Sequence, residues 1–323
     1  MKRLVVGIAT AIPSALALAV PLALLWAWLY GGSYAVHALL HLRGGYWTEV
    51  GRDDPGLSPS VRRALRDAPR ASAGAIAWRD VRDGFAVGEL TALVDGREVD
   101  RLFLARIAPA KFRFAVLNKP SGDRDLNAWM TRLGAAAVIN GSYYARDGKP
   151  ATPVVSGGTR LGPADYDARA GAFVATAGST GITDLATLNW RDALADARDA
   201  MVSYPLLVSE DGANRVAPSD WLANRSFVGE DADGNIILGT TAEAFFSLDR
   251  LAAFLRDAPL RLKRALNLDG GPIACQGISL DGFERRLCGN TELQVNDGHV
   301  MKLMCIPSCR RPTMPIALAV FPK

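Results

Sequence analysis

The sequence predicts an α+β protein: a mixed, largely antiparallel sheet with a few packed helices, preceded by one N-terminal transmembrane helix. Three observations predict it. An uncharged stretch runs from Leu4 to Tyr30, short strand-like segments divided by Asp-Gly turns begin near Gly74, and helical periodicity appears only in isolated windows. With 323 residues, 49% hydrophobic and 22% charged, the chain can bury a full core. Three regions follow: a membrane anchor or signal segment over 1–30, a linker with a short helix over 31–73, and one globular domain over 74–323.

The first region is long enough to cross the roughly 30 Å hydrocarbon core, which takes about 20 helical residues. Lys2 and Arg3 precede it, and Trp26, Trp28 and Tyr30 close it as an interfacial belt, so the body of the chain is expected outside the cytoplasm. A cleaved signal peptide, with Ala15-Leu16-Ala17 as the small-residue site, is the alternative, and it exports the body as well. In the linker, Ser58 to Arg66 reads as a short capped helix stopped by Ala68-Pro69.

From Gly74 the alternation of apolar and polar residues predicts an antiparallel meander. Its strands fall at Ile76–Val81, Phe85–Val94, Asp100–Ile107 and Lys111–Leu117. Helices are expected over Asp123–Leu133 and over Ser247–Arg256. The second has Ser247 as N-cap and Leu248, Leu251, Ala252 and Leu255 on one face.

Two turns stand out. Ala265-Leu266-Asn267-Leu268-Asp269-Gly270-Gly271 is an apolar strand that places a carboxylate on a turn built of the smallest residue. Ala135 to Asn140, followed by Gly141-Ser142-Tyr143-Tyr144, is built the same way with an amide. Each follows a helix and a buried strand. As neighbouring strands running the same way they would bring Asn140 and Asp269 out at one sheet edge, where open sheets bind ligands.

The four cysteines, Cys275, Cys288, Cys305 and Cys309, cluster near the C-terminus and fit disulfides in an oxidising compartment. The pairing read here is Cys275 with Cys288 and Cys305 with Cys309, across a turn at Pro307 and Ser308. A zinc site is the alternative; His299 is the one histidine near these cysteines, and no Cys-x-x-Cys occurs. The net charge of +4 is scattered, with no basic aromatic stripe, which gives no support to nucleic-acid binding. There is no Gly-x-Ser-x-Gly elbow for a serine hydrolase and no phosphate-binding loop; Gly157-Gly158 reads as a turn.

Several segments resemble, in serial order, the phosphodiester glycosidase family. They are Val138 to Tyr144 with Asp147-Gly148-Lys149-Pro150, and Ser203 to Val208 before Asp211-Gly212. Arg225 to Gly229 with Asp233-Gly234-Asn235-Ile236, Ala265 to Gly271, and the closing strand Met314 to Phe321 complete the series. The resemblance spans roughly Gly74 to Lys323. It implies a hydrolase that cleaves a sugar from a phosphodiester or related envelope glycan, facing outward from the membrane. One departure stands out: where the family carries small hydroxyl or glycine residues after the glycine pair, this chain has Pro272-Ile273-Ala274-Cys275.

Cleavage at the anomeric carbon passes through an oxocarbenium-like state, which calls for a carboxylate nearby and for positive charge or amides around the departing phosphate. Asp269 is the candidate carboxylate, as nucleophile or as base for water. Arg225 is the candidate phosphate clamp and Asn140 the candidate positioning amide. Gly141, Ser142, Tyr143, Tyr144, Gly270 and Gly271 are the candidate substrate-binding residues, with only one of the two tyrosines facing the site if strand alternation continues. Glu243 and Asp147 are spare carboxylates for a second acid. No cofactor is required; a divalent cation such as calcium on Asp269 is compatible with the sequence, though no ligand cluster announces one. The alternative function is a catalytically inactive glycan-binding or envelope-assembly protein that keeps the pocket.

Overall fold

Asp-Gly pairs set the architecture. At Asp95-Gly96, Asp281-Gly282 and Asp297-Gly298 both residues adopt positive φ, the backbone of a tight hairpin turn, so each chain reversal places consecutive strands side by side and antiparallel. The computed structural model describes residues 19–22, 25, 46–121, 124–168, 170–304 and 313–323.

In chain order the elements are β1 (Tyr46–Val50), α1 (Pro59–Asp67), β2 (Ser72–Ala73), β3 (Arg79–Arg82), β4 (Phe85–Val94), β5 (Arg97–Ile107), β6 (Phe112–Asn118), α2 (Leu126–Leu133) and β7 (Ala137–Asn140). They continue with β8 (Val154–Ser156), β9 (Thr159–Leu161), β10 (Gly171–Ala175), β11 (Thr180–Asp184), α3 (Trp190–Ala193), β12 (Asp199–Ser203), β13 (Leu206–Val208), β14 (Trp221–Ala223), β15 (Ser226–Asp231) and β16 (Ile236–Thr241). The last are α4 (Leu248–Asp257), β17 (Leu262–Asn267), β18 (Cys275–Leu280), β19 (Phe283–Cys288), β20 (Glu292–Asn296), β21 (His299–Met304) and β22 (Ile316–Pro322). The chain divides into two compact units, Met1–Glu49 with Leu303–Arg310, and Val50–Lys302 with Arg311–Lys323.

Within the second unit the main sheet runs β13-β17-β15-β16-β5-β4-β2, with β3 on β4. A second runs β19-β18-β7-β22-β6, a third β11-β10-β12-β8-β9, and β14, β20 and β21 pair in order. Among the described residues every strand pairing is antiparallel, so the expected mixed sheet is corrected to an antiparallel one. Tight turns join successive strands directly, and no helical crossover forces a parallel pair. Strands dominate and the helices are few and short, an α+β arrangement close to mostly β.

The main core gathers Phe85 and Ile107 from the first sheet, Phe114, Ile139 and Leu318 from the second, and Phe173 and Met201 from the third. The strand expected at Phe85–Val94 is there, β5 covers the next expected segment, β6 matches the one after it from Phe112 onward, and of the segment expected at Ile76–Val81 only Arg79–Val81 is strand. Helix α1 is capped by Ser58, whose hydroxyl accepts the Val61 N–H at 3.3 Å, and it buries Val61, Ala64 and Leu65. Helix α2 is capped by Asp125. Helix α4 buries Leu251, Ala252, Phe254 and Leu255, while Ser247 at its N-cap donates to Asp249 and makes no cap bond to the backbone.

Of the predicted membrane span, residues 19–22 and 25 are helical and the remainder lies outside the described residues. Among the described residues no helix is long and apolar enough to cross a membrane. Cys275 and Cys288 form the expected disulfide across the β18–β19 ladder, which removes them as zinc ligands. Cys305 and Cys309 lie outside the described residues.

Candidate functional site

Strand β17 buries Ala265, Leu266 and Asn267 and delivers Asp269 two residues past its end. Main-chain bonds then hold the turn residue by residue. Leu268 N–H donates to Ser226 O (2.9 Å), Asp269 N–H to Gly141 O (3.1 Å) and Gly271 N–H to Asn224 O (2.9 Å). Gly270 N–H donates to the Asp269 carboxylate at 2.8 Å. Gly271 sits at φ +66°, which favours glycine, and a Cβ there would stand 2.3 Å from Glu292 Oε2, so any side chain would displace that carboxylate. Pro272 and Ile273, in the short 3-10 turn that follows, are buried. Ile273 and Cys275 pack with Trp129, Met130 and Met314, so apolar packing occupies the place of the family's hydroxyl residues.

The Asn140 turn meets this one from another direction. Strand β7 lies between β18 and β22, while β17 lies between β13 and β15. The two strands are therefore not neighbours in one sheet, as the sequence had suggested; strand ends from two sheets converge. Asn140 is fully buried, and its amide is committed to the main chain. Nδ2 donates to Asp269 O at 2.8 Å and Oδ1 accepts the Cys275 N–H at 3.1 Å. Asn224 does the same on the far side, accepting the Asn290 and Thr291 N–H groups and donating to Ala242 O.

Asp269 keeps partial solvent access although protein surrounds it closely. Burial pushes its carboxyl up to about 7, helped by the negative charge of Glu292 and opposed by the Gly270 N–H and by Arg225. Glu292, at the start of β20, is held by Trp221 Nε1–H at 2.9 Å, and burial raises its carboxyl too. Arg225 is 6% exposed. Its guanidinium donates to the Phe246 and Trp221 carbonyls, and desolvation lowers it to about 10, so it stays charged at neutral pH. The surface carboxylates that could have paired with it are engaged elsewhere: Asp220 with Arg250 and Glu230 with Arg264. Two carboxyls and one buried cation therefore lie within electrostatic reach of one another.

Both tyrosines border this group, because the strand ends at Asn140 and alternation does not reach them. Tyr143 accepts from Asn267 Nδ2 (2.8 Å), donates to Tyr204 O (2.9 Å) and stacks on the Tyr204 ring at 4.4 Å. Burial, then the charge of Asp269, raises the Tyr143 hydroxyl strongly and the Tyr144 hydroxyl to about 12. Ser142 is buried one residue before Tyr143 and accepts from Thr152 at 3.1 Å.

Neither spare carboxylate carries a contact that links it to the pocket. Asp147 is paired with exposed Lys149, and the Glu243 backbone bonds to Asp100 and Thr241. The carboxyl that stands beside Asp269 is instead Glu292, which sequence reasoning missed. Only its pairing register, Ala223 opposite Glu292, brings it beside Trp221 and Arg225. Among the described residues no cluster of three or more His, Cys, Asp or Glu could hold a metal.

A family model described as phosphodiester glycosidase matches residues 133–274, a span that contains Asn140, Arg225 and Asp269 and ends before Glu292. No curated protein matches the chain. Among solved structures, the catalytic domain of zebrafish N-acetylglucosamine-1-phosphodiester alpha-N-acetylglucosaminidase, auto-inhibited by its pro-peptide, shares the fold at a TM-score of 0.51. The two are 14% identical, with 88% of this chain and 91% of that one covered. A Synechocystis protein described only as hypothetical aligns at TM-score 0.47 and 14% identity, over 71% of this chain and 64% of its own. The resemblance read from the motifs is borne out, and it supports a hydrolase of the phosphodiester glycosidase type.

Proposed function

We propose that the chain is an outward-facing glycosidase that cleaves a sugar from a phosphodiester, carried by its 74–323 region and tethered by the 1–30 segment. The observation that supports it most is Asp269 itself: a raised carboxyl, partly open to solvent, between a second raised carboxyl and a buried arginine. An arrangement of this kind supplies charge where an oxocarbenium-like state develops. The disulfide supports a location outside the cytoplasm.

In this reading Arg225 holds the phosphate, and the C1–O bond breaks toward it with the electron pair staying on the phosphate oxygen. Phosphate leaves readily, so no strong general acid is needed. Ionised Asp269 faces the anomeric carbon, directly or through the water that supplies the new hydroxyl, and Glu292 exchanges the proton. The products are a free sugar and a phosphate monoester. Asn140 touches no substrate; it positions Asp269 through the main chain.

The zebrafish protein acts on an N-acetylglucosamine 1-phosphodiester by its name, so that ester is the first probe for the full chain. Release of free sugar by the wild type, reduced about a thousandfold or more in Asp269→Asn, is expected. Binding without turnover would instead favour a glycan-binding protein, the reading to which the apolar Pro272-Ile273-Ala274 packing points.

A further inference from the structure

Among the described residues of the larger unit, three large apolar side chains remain exposed: Leu188, Tyr204 and Trp221. They border a single path. Trp221, 38% exposed, holds Glu292 beside Asp269, and Tyr204, 46% exposed, stacks on Tyr143, which borders the same group. The third sheet carries the path onward. Ser203 opposes Gly171 and Gly171 opposes Asp184, so Tyr204, the segment before Gly171 and the segment after Asp184 all leave the sheet at one end. Leu185 N–H donating to Ala170 O at 3.1 Å holds the two segments together there.

Between those segments lies a groove of about 710 Å³, lined by Tyr166, Leu188, Asn189, Trp190 and Arg191 among others. That is the size of a small-ligand cleft, about 300–1,000 Å³. Its frame is fixed: Trp190 Nε1–H donates to Tyr166 O at 2.8 Å, and Arg191 lies over the Trp190 ring at 4.6 Å. Arg191 lies 3.7 Å from Asp165, and the lining holds Asp165 and Asp167 against this one cation, so an anionic occupant gains little there. Trp190 is buried and braces the wall, while half-buried Tyr166 and exposed Leu188, rimmed by amide and carboxylate groups, suit a neutral sugar, whose C–H face stacks and whose hydroxyls bond outward. Burial, with the neighbouring Tyr204, raises the Tyr166 phenol, which agrees with the two rings lying near each other.

We propose that this groove is a second saccharide subsite, holding sugar units beyond the one joined to the phosphate. The inference rests on the glycosidase reading of Asp269 and deepens it. Arg225 donates to the Trp221 carbonyl and also interacts electrostatically with Tyr143, so a phosphate held on it lies between Trp221 and Tyr143. With the phosphate there, the sugar lies toward Tyr143 and Tyr204, and its chain continues to Tyr166 and Leu188. The natural glycone is an oligosaccharide, released whole when its C1–O bond to phosphate breaks and water supplies the hydroxyl.

The test uses the full chain and two phosphodiesters with one leaving group, one of N-acetylglucosamine and one of chitotriose. The wild type is expected to favour the trisaccharide at least about tenfold in kcat/KM, and Tyr166→Ala and Leu188→Asp to bring the ratio within about twofold of unity. Leu188 is exposed, so its variant folds even if Tyr166→Ala does not. Equal kcat/KM in the wild type, or a preference that survives both variants, overturns the proposal. If neither ester is cleaved, the reading of Asp269 fails separately, and the groove is read by calorimetry with chitotriose, maltotriose and cellotriose. Binding weakened about tenfold by Leu188→Asp supports the subsite. No binding of any of the three, or binding that the variant leaves intact, overturns it.

Discussion

The turn at Asn140-Gly141 and the turn at Asp269-Gly270-Gly271 read alike in sequence and serve opposite ends in the fold. Asn140 is fully buried, and its amide bridges the Asp269 carbonyl and the Cys275 N–H. Asp269 accepts one short bond, from Gly270, and otherwise faces Glu292, Arg225 and partial solvent. One side chain is consumed in holding the backbone, and the other is left with charge to use. Two similar strand-glycine motifs can thus divide labour, one as brace and one as site.

Breaking the brace is expected to cost the most. Asn140→Ala leaves a buried carbonyl and a buried N–H without partners, a loss of roughly 2–4 kcal/mol. Urea unfolding of the variant checks this, and a shift below about 0.5 kcal/mol would mean that water replaces the amide at no cost. Next in size is the disulfide, which anchors the same region. Cys275 N–H bonds to Asn140, and Gly289, one residue past Cys288, donates to Ala274 O. Replacing both cysteines with serine opens a link of 13 residues' separation and is expected to remove about 3 kcal/mol, with turnover falling alongside. Thermal unfolding in parallel with turnover would show whether the two losses track each other.

A smaller effect sharpens the electrostatic side. The charge of Glu292 helps to raise Asp269, so Glu292→Gln lowers the carboxyl of Asp269. If ionised Asp269 is the active form, the acidic limb of kcat/KM, near pH 7 in the wild type, should move to lower pH by up to about one unit. A limb that does not move would place Glu292 outside the proton-exchanging pair.

The difference between the two turns also marks what the sequence could reveal. Asp269, Gly271 and Asn140 were legible because each depends on its local run: an apolar strand, then residues that allow a sharp turn. Strand Phe85–Val94 was legible for the same reason, a largely apolar run with rough alternation in its second half, bounded by Asp-Gly at both ends. The meeting of the two turns was inferred through the wrong geometry, since alternation predicts strands and not which sheet each joins. Glu292 was not legible at all. It stands among ordinary strand residues, and only its pairing with β14 brings it under Trp221. Tyr204 was visible as part of the family pattern, but its stacking on Tyr143 depends on a contact 61 residues away in the chain.

The central claim is that the Asp269 turn is built to hold a charge at the expense of stability. The folded carboxyl stands at about 7, above its ordinary value of 3.8, so the folded state binds the proton more tightly than the unfolded chain does. The wild type therefore loses stability through Asp269 as pH rises from about 4 to about 7, and Asp269→Asn, which keeps the other raised carboxyls such as Glu292, loses less. Unfolding free energies of both proteins at pH 4 and pH 8 test this most directly. The expected result is a variant that gains on the wild type by a few kcal/mol between the two pH values. A stability difference that is the same at both, or that turns against the variant at pH 8, would contradict the claim and return Asp269 to the structural role that Asn140 fills.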